Sequence, residues 1–512
     1  VKAGFGSIAL SLAGLTLAAR IVGFGRSLVF SKTVGDTCLG DAYNAANSLP
    51  NVLFEIVAGG VLAGVVIPVV ARHVGGGRQR EASQTVSALI TWTLLALTPA
   101  ALAAFAGAAL YGRTFATQCA GSASTIAALL IMFVPQIWFY GLAVVSAGVL
   151  QAHQRFLAAA FAPLLSSVVV ITAYLIFAGT SGRTALWVLG LGTTLGVVAL
   201  ALTTAVPLYR LGLRLRPRLR FAAGDRAVVT RIAAAGIVGL VLQQISVLLI
   251  NYSAQRSLDP GALTRYTWAN AIYLLPYAVL AAPLLQLAFP RLAAAADSDA
   301  GAVRRVLAEF LPVLTISAWL GAALLVATAV PVARVFVLGP GSGRTAALAW
   351  PIALFGPAVV GFALLGLASR TLLAQHRARD AGLVTIAGWG AVIVGVLLFG
   401  RTVPLLAVAM SAGLGVGAVV GWILVRRSAA ITLGGPLGRP MLAGLLAAVV
   451  ASGAALWPAL QLFDVGLLAA TAGAIGLALF CTMIFVGVLR LVQPRLVAEL
   501  WARRPRPAGW AS

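Results

Sequence analysis

From Ala82 to Gly112 no residue is acidic or basic, and the same holds from Phe156 to Gly182 and from Thr184 to Tyr209. A helix needs about 20 apolar residues to cross the hydrocarbon core of a bilayer. Only helices and closed barrels satisfy their backbone polar groups there. Runs this long and this free of charge are membrane-spanning helices. The composition agrees, with 61% hydrophobic and 9% charged residues and a mean hydropathy of +1.02; soluble domains carry about 25% charged residues. A water-soluble enzyme is excluded, and the expected fold is an all-α polytopic membrane protein.

Charges, prolines and glycine-rich breaks divide the chain into about 14 candidate spans: 7–34, 42–71, 84–112, 123–150, 157–180, 184–209, 228–254, 261–290, 306–331, 345–373, 381–399, 403–425, 440–460 and 465–490. The opening residues lack a cleavage site of small residues, so the first span is expected to be retained rather than removed as a signal peptide. Of the 36 basic residues, 26 fall on the side of the N-terminus, 8 on the opposite side, and Arg20 and Arg26 lie within span one. The positive-inside rule then places both termini in the cytoplasm. The net charge of +24 is therefore a topology signal. A nucleic-acid surface would need a basic stripe interleaved with exposed aromatics, and no nucleic-acid partner is expected.

The chain repeats itself. Ala46-Asn47 recurs as Ala269-Asn270, each followed by a proline (Pro68, Pro290), and Leu150-Gln-Ala-His153 is echoed by Leu373-Ala-Gln-His376. Six spans separate the copies, an even number, so both halves insert with the same orientation. Parallel repeats with a cavity between them are a transporter architecture. The expected organisation is an N-lobe at 1–209, a basic cytoplasmic linker at 210–227, a C-lobe at 228–427, and two further helices with a basic tail at 428–512.

Ions within a membrane span are costly and face a cavity or a partner. Here they are Arg20 and Arg26 in span one and Glu55 in span two. Arg20 and Ser27, seven residues apart, share a helix face, and Gly23 and Gly25 permit a bend that aims both guanidiniums at one point. Two converging arginines suit an anion with several oxygens, such as phosphate or pyrophosphate. The alternative is that each arginine pairs with Glu55 and closes the two spans structurally. Pro50 and Gly59-Gly60 interrupt span two, and Pro276 and Pro283 interrupt span eight; interrupted helices at matching places mark a substrate site and its moving parts.

Asp36 and Asp41 fall in the first outer loop. Asp41 suits a helix cap of span two; the sharper alternative is a membrane glycosyltransferase using outer-loop acids as base or metal ligands. The histidines, His73, His153 and His376, have no second ligand at metal spacing, so no metal site is expected. No phosphate-binding GxxxxGK[ST] loop exists, so ATP is not the direct energy source. Cys38 and Cys119 both lie in outer loops, where oxidation is permitted; a disulfide and two free thiols both remain open on cysteine count alone.

Several motifs together resemble one family: Arg20-Ile-Val-Gly-Phe-Gly-Arg26, Gly40-Asp41-Ala-Tyr-Asn-Ala-Ala-Asn47-Ser-Leu-Pro50-Asn51, Gly59-Gly60, Pro68-Val-Val-Ala-Arg72, and Gln154-Arg155-Phe156 followed by Ala162-Pro163. The sequence is similar to the MurJ (MviN) lipid II flippases, with the actinobacterial branch most alike. The resemblance implies the fold of the multidrug/oligosaccharidyl-lipid/polysaccharide (MOP) exporters, in two six-helix lobes related to the MATE transporters. Two extra C-terminal helices, here about 440–490, would form a groove for the lipid tail. It implies a multi-pass protein of the bacterial cytoplasmic membrane that moves lipid II, a polyprenyl-pyrophosphate-linked peptidoglycan precursor, from the inner to the outer leaflet. Arg20 and Arg26 would contact the pyrophosphate, Ser27, Asn47, Asn51 and Glu55 would line the same substrate cavity, and Asp41 would line the outer gate. No cofactor is implied; the membrane potential, with a monovalent cation or a proton, would drive transport. Partners would be the lipid itself, membrane lipids and cell-wall synthases. At three cavity positions the chain departs from the best-known family pattern: Phe54 and Ala271 stand where the family has arginine, and Gly59 where it has glutamate. The rival cargo is another polyprenyl-linked glycan or a drug-like compound.

Overall fold

The structure is a computed structural model that describes residues 2–56, 66–213, 215–221, 225–256, 259–298, 300–341, 343–429 and 438–494. All regular elements among these residues are helical. In chain order they are α1 (Lys2–Thr33), α2 (Cys38–Ile56), α3 (Val66–Gly75), α4 (Gln79–Ala106), α5 (Ala108–Thr114), α6 (Ser122–Phe133), α7 (Gln136–Ala152), α8 (Phe156–Ala178), α9 (Gly182–Tyr209) and α10 (Asp225–Gln255). There follow α11 (Ala262–Pro276), α12 (Ala282–Ala296), α13 (Ala300–Val337), α14 (Thr345–Leu354), α15 (Gly356–Ala374), α16 (Ala378–Phe399), α17 (Val403–Ala429), α18 (Gly438–Leu460) and α19 (Leu467–Val492). Eleven stretches among the described residues are long and apolar enough to cross a membrane, which makes this a multi-pass membrane protein. The other three expected spans correspond to α1, to α2 with α3, and to α10, which are not among those eleven.

The helices pack as two compact units, one of residues 1–264 with 339–343, the other of residues 265–338 with 344–512. In the first, α8 packs on α9 and α1, α2 on α6 and α10, and α4 on α7. In the second, α17 packs on α15 and α16, while α13 meets α14, α15, α18 and α19. The seam of α18 against α13 is made of Ala443, Ala447, Ala451, Ala455 and Ala459, all buried and four residues apart. Small residues at that spacing let backbones approach closely, which is how helices associate where lipid removes the hydrophobic drive.

Spans four and ten are each two helices, broken at prolines. Span four is broken between Phe133 and Gln136, where Pro135 lacks an N–H and Ile137 N reaches only as far back as Val134 O (3.1 Å). Span ten is broken at Phe355, two residues before Pro357, where Ala358 N bonds Phe355 O (3.0 Å). The prolines remove a helical donor at matching points of the repeat. The repeat also shows in a detail of backbone geometry. Gln154 (φ 59°) and His376 (φ 60°) are the only non-glycine residues with positive φ among those described, and each is followed by an arginine whose N–H closes on the preceding helix, Arg155 on Leu150 O (2.8 Å) and Arg377 on Leu372 O (2.9 Å). A left-handed non-glycine residue is uncommon; two, 222 positions apart in identical turns, fix the local register. That register sets His376 opposite Gln154, one residue away from the His153 pairing that letter matching suggests.

Pro276 is followed directly by a π-helical turn, Tyr277–Ala281, before α12 resumes with Pro283 in its first turn. Pro50 lies inside α2, which runs through it without interruption, and α1 likewise runs unbroken through Gly23 and Gly25. Gly59 and Gly60 lie outside the described residues.

Candidate functional site: the polar face of the first two spans

Asn47, Asn51 and Glu55 are spaced by four on α2 and so occupy one face of it. Tyr140 on α7 donates from its hydroxyl to Asn51 Oδ1 (3.1 Å), and its ring lies 4.5 Å from that of Phe54. Phe54 thus contributes an aromatic contact to this face. Tyr43, one helical turn before Asn47, is buried; its hydroxyl is 2.8 Å from that of Tyr174 and 3.0 Å from Thr193 Oγ1. Its ring is enclosed by Phe30 at 5.1 Å and Phe133 at 5.6 Å. The sequence reading missed these tyrosines. The available signal was a Tyr deep within a span, away from the interface, where its hydroxyl must find an internal partner.

Arg26 is half-buried on α1, and its charge acts on the hydroxyls of Tyr43, Tyr140 and Tyr174, while that of Glu55 acts on Tyr140. Arg26, the three tyrosines, Asn51 and Glu55 therefore form one electrostatic neighbourhood. Arg20 is exposed, and Ser27 half-buried. A Cβ at Gly23 or Gly25, between the two arginines, would meet open space. Among the described residues neither Arg20 nor Arg26 forms an ion pair with Glu55, so in this structure the arginines are not spent on that acid. The buried Asn47 Oδ1 has no hydrogen-bond partner. An unpaired buried acceptor, one helical turn from Tyr43 and one from Asn51, is a place where a polar ligand regains hydrogen bonds.

At the far end of α2 the acids are used structurally. Thr37 Oγ1 accepts from Gly40 N (3.1 Å) and caps α2, so the cap expected of Asp41 belongs to Thr37. Asp41, buried, accepts from Gly261 N (2.8 Å), Thr264 N (2.9 Å) and Thr264 Oγ1 (2.9 Å), and so caps the start of α11. A carboxylate there meets unpaired N–H groups and the positive end of the helix dipole. Asp36 is buried and pairs by its backbone with Gly341. The segment around it is tight: a Cβ on Gly35 (φ +71°) would collide with the Pro340 carbonyl, and one on Gly339 with that of Ser31. Cys38 and Cys119 are joined in a disulfide, Cα atoms 6.1 Å apart, that ties the start of α2 to the α5–α6 loop. Both acids are buried, and Asp41 already accepts three donors, so they are poorly placed for base or metal chemistry on a sugar. His73 contacts Glu81 (3.1 Å) and His376 lies 3.8 Å from Asp297; no group of three metal-ligating side chains exists among the described residues.

In the second unit, Trp319, Val360, Leu364, Val419, Trp422 and Ile423 line an apolar groove of about 420 Å³ that reaches Met441 at the start of α18.

Comparison with known proteins places this arrangement in a family. The chain is 31% identical over 373 residues to a probable lipid II flippase MurJ of Rhizobium meliloti (strain 1021), covering 69% of this chain and 68% of that one. It is 26% identical over 433 residues to the lipid II flippase MurJ of Burkholderia cenocepacia, covering 81% and 82%. Among solved structures, a lipid II flippase MurJ in an inward closed conformation superposes with a TM-score of 0.78 at 15% identity, covering 95% of this chain and all of that one. An inward-facing MATE multidrug transporter of the MOP superfamily gives a TM-score of 0.68 at 15% identity over 80% of this chain and 94% of that one. The chain shares its fold with these two proteins. The family model described as "Lipid II flippase MurJ" matches residues 30–484, and the chain belongs to that family.

Proposed function

We propose that this protein is a transporter, not an enzyme, and that it flips lipid II from the inner to the outer leaflet of the bacterial cytoplasmic membrane by alternating access. The observation that carries the reading is Arg26, unpaired with Glu55 and set among Tyr43, Tyr140, Tyr174 and Asn51, within a chain matched to the flippase family over most of its length. Arg26 and Arg20 hold the pyrophosphate, Asn47 and Asn51 take its hydroxyl or amide neighbours, and the polyprenyl tail stays in lipid beside α18 and α19. Asp41 latches the outer gate when the N- and C-termini are cytoplasmic, as the arginine distribution supports. Gly23, Gly25, Pro50 and Pro276 are the positions where helices bend between states. The membrane potential, worth about 2.3 kcal/mol per charge per 100 mV, drives the cycle, with a monovalent cation or proton as the coupling ion and cell-wall synthases as downstream partners.

A second reading is favoured by Phe54. With an aromatic pair where the family has an arginine, the site carries less positive charge, which suits a polyprenyl-linked glycan of lower charge. Purified protein in vesicles carrying labelled lipid II in one leaflet separates the two. Accelerated transfer that is lost in Arg26→Ala supports the first; transfer of a monophosphate-linked glycan in preference to lipid II supports the second.

A further inference from the structure

The segment after α9 alternates strictly: Leu213, Leu215, Leu219 and Phe221 at odd positions, Arg214, Arg216, Arg218 and Arg220 at even ones. A positive-inside signal needs only charge somewhere in a loop; it does not need this order. The structure shows what the order does. Leu211, Leu213, Leu215 and Phe221 pack into the cluster formed by α3, α4 and α7. The backbone of the same segment is pinned along α4: Arg216 N donates to Ser87 Oγ (3.2 Å), Arg218 N to Thr91 Oγ1 (3.0 Å), and Trp92 Nε1 to Leu219 O (2.9 Å). Four residues of helix rise about 6 Å, and two residues of extended chain cover about 6.6 Å. A two-residue step in the segment therefore matches a four-residue step in α4 only if the segment is extended. It is a strap held by a ladder of hydroxyls.

The strap fixes where its arginines stand. Arg216 and Arg218, together with Arg80, Gln79, Gln84 and Ser83 from the first turns of α4, line a cavity of about 570 Å³. No carboxylate lines it, and among the described residues none pairs with Arg80, Arg216 or Arg218. Three guanidiniums facing one space without an acid call for an anion with several oxygens. Depth indicates its source. Trp92, exposed beside the strap, is the amphipathic ring expected at headgroup level.

We propose that the strap and the start of α4 form a binding site for the phosphate of an anionic inner-leaflet lipid headgroup, held by Arg80, Arg216 and Arg218. That this end faces the inner leaflet rests on the topology proposed above; the binding itself does not depend on which lipid is transported.

The test is native mass spectrometry of the full chain released from micelles containing phosphatidylglycerol or phosphatidylcholine. The parent should retain phosphatidylglycerol over phosphatidylcholine, and R80Q/R216Q/R218Q should lose that preference by roughly tenfold. S87A/T91V keeps every arginine but frees the strap, and it should lose most of the preference too. Unchanged preference in either variant overturns the site: in the first the arginines do not bind, in the second bulk charge suffices. Displacement of the lipid by equimolar inorganic pyrophosphate would overturn the lipid assignment in favour of a soluble anion. Failure of lipid II transport in vesicles, with this preference intact, would sink the flippase reading and leave the site standing.

Discussion

The carboxylate of Asp41 accepts hydrogen bonds from both the backbone N–H and the hydroxyl of Thr264, each at 2.9 Å, across 223 residues of sequence. That separation is within one residue of the 222-residue register of the internal repeat, so the contact joins near-equivalent positions, one at the start of α2 and the other at the start of α11. Asn44 Nδ2 adds a bond to the same threonine hydroxyl (3.1 Å), and Gln255 Nε2 reaches Asp41 O (3.3 Å). A buried carboxylate with three donors is a latch whose removal strands all three.

Asp41→Ala should therefore destabilise the protein by about 3 kcal/mol, since each bond to a charged acceptor is worth about 1.5–3 kcal/mol and the three are not additive. Asp41→Asn keeps one acceptor oxygen and should cost less than half of that. Thermal unfolding in detergent distinguishes them; equal stability of the alanine variant and the parent would show that the latch contributes nothing.

The Cys38–Cys119 bridge closes a loop of 81 residues, which a chain-entropy estimate values at about 4 kcal/mol. Reductant should lower the unfolding temperature of the parent by several degrees and leave Cys38→Ser unchanged. A parent insensitive to reductant would mean the thiols are free in the membrane.

Two glycines should respond oppositely to alanine. Gly35 has φ +71° and the Pro340 carbonyl against its missing Cβ, whereas nothing lies within 4 Å of the Cβ position of Gly453 inside α18. Gly35→Ala should cost about 2 kcal/mol or more through strain and collision. Gly453→Ala should be neutral or stabilising by up to about 1 kcal/mol, the helix-propensity gain. Unfolding temperatures that move together would contradict the packing around Gly35.

Tyr43→Phe removes the hydroxyl shared by Tyr174 and Thr193 and should cost about 1–2 kcal/mol. Tyr140→Phe frees Asn51 Oδ1 and should alter transport more than stability, because Tyr140 feels both Arg26 and Glu55. A transport assay beside a melting curve reads both; the reverse ranking would remove Tyr140 from the site.

Much of the fold is legible in the sequence because one solvent, lipid, dictates it. Charge-free runs such as 184–209 become α9 almost residue for residue. The interruptions at Pro135 and Phe355 were hidden, because proline is common in membrane helices and breaks only where neighbours satisfy the freed backbone groups. Arg26 and Glu55 stand out as charges within lipid, yet their neighbours do not. Tyr140 and Tyr174 join them through tertiary packing that no local spacing encodes. Asp41 misleads for the same reason: its position predicts a local cap, and only the fold brings Gly261 and Thr264 to it.

The proposed transport of lipid II runs through a guanidinium-lined site. Its most direct measurement is complementation of a MurJ-depleted bacterium, scoring outer-leaflet lipid II with the parent, Arg26→Ala and Arg20→Ala expressed at equal levels. Rescue by the parent and loss of at least tenfold with Arg26→Ala are expected. Full rescue by both arginine variants would contradict that route.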